Sequence, residues 1–98
     1  MTRRVGDLDF SDFPEDITLT YGLDGEREYY EYWRRRKGIV IQRATRTSYY
    51  YIFFIDGEAI RTYKTPEIKA YKTIDEAIDE LKKFGFNVKI KQTVKPLH

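Results

Sequence analysis

Residues 49–55 constrain the fold more than any other part of the sequence. All of them are tyrosine, phenylalanine or isoleucine. A strand of this composition has two faces that need at least partial cover, which is typical of a central strand in a packed sheet. Asp56 and Gly57 follow directly and form a strong two-residue hairpin signal. We therefore expect a central strand that returns through a tight turn into a second strand over residues 58–64.

The clearest helix lies near the C-terminus. Thr73 and Glu76 have the spacing of a capping box, and Gly85 is placed to end the helix. Between them, apolar residues recur at helical spacing, at Ile74, Ala77, Ile78, Leu81 and Phe84. Alternation of apolar and polar residues then predicts a strand over residues 86–94. Further strands are expected over residues 17–21 and 39–44.

Residues 26–37 are ambiguous. Their aromatic residues suit a strand. Acidic residues nevertheless come first, arginines come last and Gly38 follows, which suits a helix and its dipole. We favour the helix, and the alternative is a strand paired with residues 17–21 across a turn at 23–25.

The resulting element order predicts one α+β domain over residues 17–95, preceded by an acidic, irregular arm over residues 1–16. This is the ferredoxin-like (βαββαβ-type) plan: a mainly antiparallel sheet with two helices on one face and an extra hairpin strand. The aromatic residues of the arm, Phe10 and Phe13, are expected to pack on the domain or to meet a partner. The predicted core includes Ile39, Ile41, Ile52, Phe54, Ile74, Ile78, Leu81, Val88 and Ile90.

Residues 47–54 resemble the aromatic signature of the RNA-recognition motif, a family that shares this plan. Tyr49, Tyr51, Ile52 and Phe54 match the signature, whereas its first basic position, its glycine and its small residue are not matched. In that family, rings of the third strand stack on bases. The resemblance therefore implies a sheet surface that binds nucleic acid.

Charge is distributed unevenly along the chain. The net charge is +2, but residues 1–33 are acidic and residues 34–98 are basic. Arginine and lysine attract phosphate, and exposed tyrosine rings offer stacking that tolerates any base. We predict a non-enzymatic module that binds RNA or DNA through Arg34, Arg35, Arg36, Lys37, Arg43, Arg46, Tyr49 and Tyr51. Alternatively, the two charged regions contact each other within the molecule, with the acidic arm lying on the basic remainder of the fold.

Two other functions remain open. Abundant tyrosine and arginine with one tryptophan are typical of protein interfaces, which indicates a protein partner, an inhibitor of the small viral type or a homodimer. A Mg²⁺-dependent nuclease of the restriction-endonuclease-like type would need Asp56, Glu67 and Lys69 to converge, with Glu28 or Glu31 nearby. Asp56 is already explained by its turn, so we do not expect an enzyme.

Composition excludes several kinds of site. The chain has no cysteine and a single histidine, which rules out disulfides, thiolate zinc sites and a histidine triad. We expect no metal and no cofactor. No membrane span or signal peptide is recognisable, so we expect a cytoplasmic protein that does not enter a membrane. Many ion-pairing residues and few amides resemble small proteins of hyperthermophilic archaea and their viruses.

Overall fold

A computed structural model of the protein describes residues 4–6, 8–57, 59–62 and 69–92. Within these residues, eight strands and one helix follow one another along the chain. Their bounds are β1 (Arg4–Val5), β2 (Leu8–Asp9), β3 (Asp16–Asp24), β4 (Arg27–Arg34), β5 (Lys37–Arg43), β6 (Tyr50–Asp56), β7 (Ala59–Thr62), α1 (Ile74–Lys83) and β8 (Asn87–Gln92).

The main sheet is a meander with one crossover. From β3 to β7 each strand pairs antiparallel with the next. The chain then passes through α1 to the far edge, where β8 pairs parallel with β3, so the strand order is β7-β6-β5-β4-β3-β8. The ferredoxin-like prediction is wrong, because the described residues contain one helix rather than two and are mostly strand.

The difference comes from residues 26–37, which are β4, a two-residue turn and the start of β5. Side chains of β4 alternate, with Tyr30 buried on one face and Trp33 exposed on the other. Gly38 does not end a helix. It lies opposite Trp33 on the neighbouring strand, where the indole ring covers it. The strand alternative is therefore the one that the structure adopts, and aromatic strand preference outweighs the charge pattern.

The core lies on one face of the sheet, here called the inner face. Helix α1 packs there, with Phe84 at its end 5.9 Å from Phe54 between ring centroids. Thr73 caps the helix as predicted, its hydroxyl accepting the Glu76 amide at 3.1 Å. Most predicted core residues are buried, and Ile74 and Val88 are partly buried. Ile90 was wrongly included, since it is 41% exposed on the edge strand β8.

The N-terminal arm also packs on the inner face. Phe10 and Phe13 are almost completely buried, and the Phe10 ring lies 5.4 Å from Phe54. The arm is more regular than expected, because β1 and β2 form a small hairpin. Lys37 holds the arm by donating to the Asp9 carbonyl at 2.8 Å and pairing with Asp12 at 3.5 Å. At this point the acidic arm does lie on a basic residue of its own fold.

Candidate nucleic-acid interface

The other face of the sheet, here called the outer face, has a different surface. α1 and the arm both lie on the inner face, so neither covers it. Alternation places aromatic, apolar and charged side chains there together. On the three central strands these are Arg27, Tyr29, Glu31 and Trp33 of β4, Gly38, Val40 and Gln42 of β5, and Tyr51, Phe53 and Ile55 of β6.

Two of the outer rings lie across glycines of the neighbouring strand. A Cβ atom on Gly38 would come within 2.6 Å of the Trp33 ring, and Gly22 is covered by Tyr29 in the same way. Both glycines are buried, yet the Trp33 side chain remains 43% exposed. Its indole N–H donates to Glu31 Oε1 at 2.9 Å. Each ring is therefore fixed against the sheet while its other side remains accessible.

A depression of about 590 Å³ lies where β4, β5 and β6 meet the loop between β5 and β6. We call it the arginine pocket. Three arginines and two aromatic rings contribute to it, and none of the described acidic residues does; its described lining residues are Arg27, Gln42, Arg43, Ala44, Thr45, Arg46, Thr47, Tyr51 and Phe53. This combination can hold an anionic group and a planar group side by side.

The loop that carries Arg46 is fixed by backbone hydrogen bonds. The amide of Ala44 donates to the Tyr49 carbonyl at 2.9 Å, and the amide of Ser48 donates to the Ala44 carbonyl at 2.8 Å. Ser48 has a left-handed backbone with φ of +62°. Such a conformation costs on the order of 1 kcal/mol in a non-glycine residue, and these bonds hold it in place. Arg46 is thus presented by an ordered loop.

The three arginines of the pocket differ in their charge partners. Arg43 lies 3.5 Å from Glu28, which is on the inner face. Neither Arg27 nor Arg46 pairs with another described residue. Because unpaired surface guanidinium groups are the ones available to a ligand, Arg27 and Arg46 supply most of the positive potential.

Glu28 is the centre of a hydrogen-bonded cluster behind the pocket. It accepts the Tyr21 hydroxyl at 2.8 Å and the Tyr50 hydroxyl at 3.2 Å. The Glu28 hydrogen bond raises the pKa of Tyr21, and burial followed by the Glu28 charge raises the pKa of Tyr50. Burial, again with Glu28, raises the pKa of Tyr30 to about 12. The hydroxyls of Tyr21 and Tyr50 therefore serve as structural donors to Glu28.

The structure divides the predicted binding residues between the two ends of the sheet. Arg43, Arg46 and Tyr51 come together in the arginine pocket, and Tyr49 is exposed in the adjoining loop. The other four residues lie at the opposite end of β5, about 20 Å away at the usual rise of a strand. There Lys37 binds the arm, whereas Arg34, Arg35 and Arg36 are exposed.

Sequence reasoning missed Arg27 and Phe53 as pocket residues. Arg27 was assigned to a helix, but the alternative hairpin of β3 and β4 places it at the start of a strand. Phe53 alternates with the core residues Ile52 and Phe54, so its period of two predicted an outer position. The strand alternative would have found Arg27, and the period of two along β6 would have found Phe53.

Among the described residues of the nuclease alternative, Asp56 and Glu28 lie at opposite ends of the sheet. Asp56 is exposed at the turn end of β6, while Glu28 lies at the loop end, and Lys69 pairs with Glu80 of α1. Glu67 lies outside the described residues. In the described part of the chain, no group of three acidic or histidine side chains is arranged to hold a metal ion. The helix found there is too short to span a membrane.

Comparison with protein-family models, with curated proteins and with solved structures finds no match to this chain.

Proposed function

We propose that this protein binds single-stranded nucleic acid in the arginine pocket. The observation that carries the proposal is the placement of Arg27 and Arg46, without acidic partners among the described residues, beside the rings of Tyr51 and Phe53. The arginines attract phosphate, and the rings offer stacking to an unpaired base. A duplex hides its base faces, so this combination favours a single strand.

A second depression on the sheet supports the alternative of a protein partner. This depression, lined by Leu23, Asp24, Tyr29, Glu31, Val40 and Gln42, adjoins the pocket and carries two acids. Phosphate would avoid these acids, and a nucleic acid would therefore lie toward β6. A protein ligand could use both depressions, so it would depend on Asp24 as well as on the arginines.

Fluorescence anisotropy with a labelled oligothymidylate tests the proposal. R27Q/R46Q should weaken binding about tenfold and reduce the slope of log affinity against log salt by about 1.4, the value for two lost contacts with a single strand. K72Q/K82Q is the matched control, because it also removes two positive charges, from exposed positions outside the pocket. It should bind within about twofold of the unmodified protein.

Stacking is tested separately at Tyr51. Y51A should weaken binding about tenfold without changing the salt slope, and Y51F should preserve binding because it keeps the ring. An equal loss of affinity in R27Q/R46Q and in K72Q/K82Q would mean that the pocket is not the binding site. Absence of binding at low salt would reject the function and direct the search to a protein that depends on Asp24.

A further inference from the structure

A second basic element lies at the turn end of the sheet, next to an accessible ring. Arg34, Arg35 and Arg36 are exposed there, and none of them pairs with another described residue. Arg35 has a left-handed backbone with φ of +59°, and the Arg36 carbonyl accepts the Gly57 amide at 2.9 Å. The turn therefore presents consecutive arginines in a fixed conformation, immediately after Trp33.

The outer face of β5 connects this turn to the arginine pocket. Its side chains there are short or uncharged, at Gly38, Val40 and Gln42. The strand register places larger side chains on both sides of them: Tyr29 and Tyr51 beside Gln42, Glu31 and Phe53 beside Val40, and Trp33 and Ile55 beside Gly38. A shallow track thus runs along β5 from the arginine pocket to the ring of Trp33, which covers Gly38 beside the arginine turn.

The charge along this track is compatible with a polyanion. Two acids, Asp24 and Glu31, line the depression beside Val40 and Gln42, and Glu31 Oε1 accepts the Trp33 N–H. Both acids lie on the β4 side, whereas the outer-face residues of β6, which are Tyr51, Phe53 and Ile55, are uncharged. A phosphate backbone on the β6 side would leave its bases over β5, within reach of the rings on both neighbouring strands.

We propose that one nucleic-acid strand extends from the arginine pocket along the outer face of β5 to Trp33 and the arginine turn. This inference rests on the proposed function and adds a length to the site. The two ends are about 20 Å apart, and a stacked strand rises about 3.4 Å per nucleotide, so the strand covers about six nucleotides. Trp33 stacks on a base at the far end, and the turn residues Arg35 and Arg36 bind phosphates there.

Oligonucleotide length separates the two ends of the site. We would compare oligothymidylates of about three and about ten nucleotides, of which only the longer one spans the track. R35N/R36Q removes both charges of the turn and keeps a residue that tolerates the left-handed conformation at position 35. This variant should bind the long oligonucleotide about tenfold more weakly and the short one unchanged within about twofold. R27Q/R46Q should weaken the binding of both.

Trp33 provides a local readout, since it is the only tryptophan in the chain. The long oligonucleotide should quench its fluorescence and the short one should not, when each is added to saturation. Long oligonucleotides offer several registers to any small site, which raises their apparent affinity without a second contact. The decisive comparison is therefore between variants at each length, with K72Q/K82Q as the control for lost charge and thermal unfolding as the control for folding.

The outcomes distinguish the inference from the function on which it rests. If R35N/R36Q binds both lengths like the unmodified protein while R27Q/R46Q weakens both, the pocket is the site and the track is not used. The same conclusion follows if the long oligonucleotide binds without quenching Trp33. If R27Q/R46Q has no effect on either length, the proposed function itself fails.

Discussion

Both faces of the sheet carry aromatic side chains, and they differ in what holds the rings. Inner rings contact rings from other parts of the chain, as Phe54 does with Phe10 and Phe84. Two outer rings lie instead on glycines of the adjacent strand, as Trp33 does on Gly38. An inner ring is thus fixed by long-range packing, and these outer rings by their own hairpins. The outer arrangement leaves ring surface available to a ligand.

The largest expected difference between the faces is in stability, at the neighbouring positions 53 and 54. Phe54 is completely buried and Phe53 is partly exposed. F54A should lower the free energy of unfolding by about 3–5 kcal/mol through lost burial and a cavity. F53A should cost about 1 kcal/mol, because much of its ring already meets water. Urea denaturation measures both, and equal losses would mean that the outer face is covered by something in solution.

The second-largest expected effect is a loss of stability at alkaline pH, through a residue of the inner face. The pKa of Tyr30 is raised to about 12, above the ordinary value of 10.0 that applies after unfolding. The contribution of Tyr30 to the free energy of unfolding is therefore complete below pH 10. It is lost as the pH rises toward 12, which lowers the free energy of unfolding by up to about 2 kcal/mol.

Urea denaturation across this pH range, in the protein and in Y30F, isolates the contribution of Tyr30. Y30F should show a shallower fall in stability, with some fall remaining because Tyr21 and Tyr50 also have raised pKa values. The Tyr29→Phe variant on the outer face is the matched control and should follow the unmodified protein. Identical pH dependence in Y30F and the unmodified protein would contradict the role of burial.

Much of the inner face was predictable from the sequence, and much less of the outer face. Strand periodicity and the capping box at Thr73 predicted α1 and part of the core, including Ile41, Phe54 and Leu81, because burial imposes a regular pattern. The hairpin of β4 and β5 was missed because its turn contains Arg35, where a left-handed backbone normally selects glycine or asparagine. With that turn misassigned, neither the glycine beneath Trp33 nor the position of Arg27 could be deduced.

The glycine beneath Trp33 offers a smaller perturbation of the outer face alone. G38A would place a methyl group 2.6 Å from the indole ring, so the ring must move off β5 and loses its bond to Glu31. We expect a cost of about 1–2 kcal/mol and a red-shifted tryptophan emission, since the ring enters water. The double variant G38A/W33A should be almost as stable as W33A alone, because without the indole ring the alanine at position 38 meets no clash. If the losses of stability in G38A and W33A simply add in the double variant, the ring does not rest on this glycine.

The smallest expected effect is a gain in stability at the arginine turn. The left-handed conformation of Arg35 costs a non-glycine residue about 1–2 kcal/mol, whereas glycine adopts it freely but adds flexibility to the unfolded chain. R35G should therefore raise the free energy of unfolding by about 0.5–1 kcal/mol. It should also weaken the binding of a long oligonucleotide and reduce the salt slope by about 0.7, because one phosphate contact is lost. R35K keeps both the charge and the strain, so its stability and its binding should remain close to those of the unmodified protein.

A less stable R35G would show that the turn is not strained. A more stable R35G with unchanged binding would place the nucleic acid elsewhere. Opposite changes in stability and affinity would indicate that this position is kept as arginine for its ligand, at the expense of the turn.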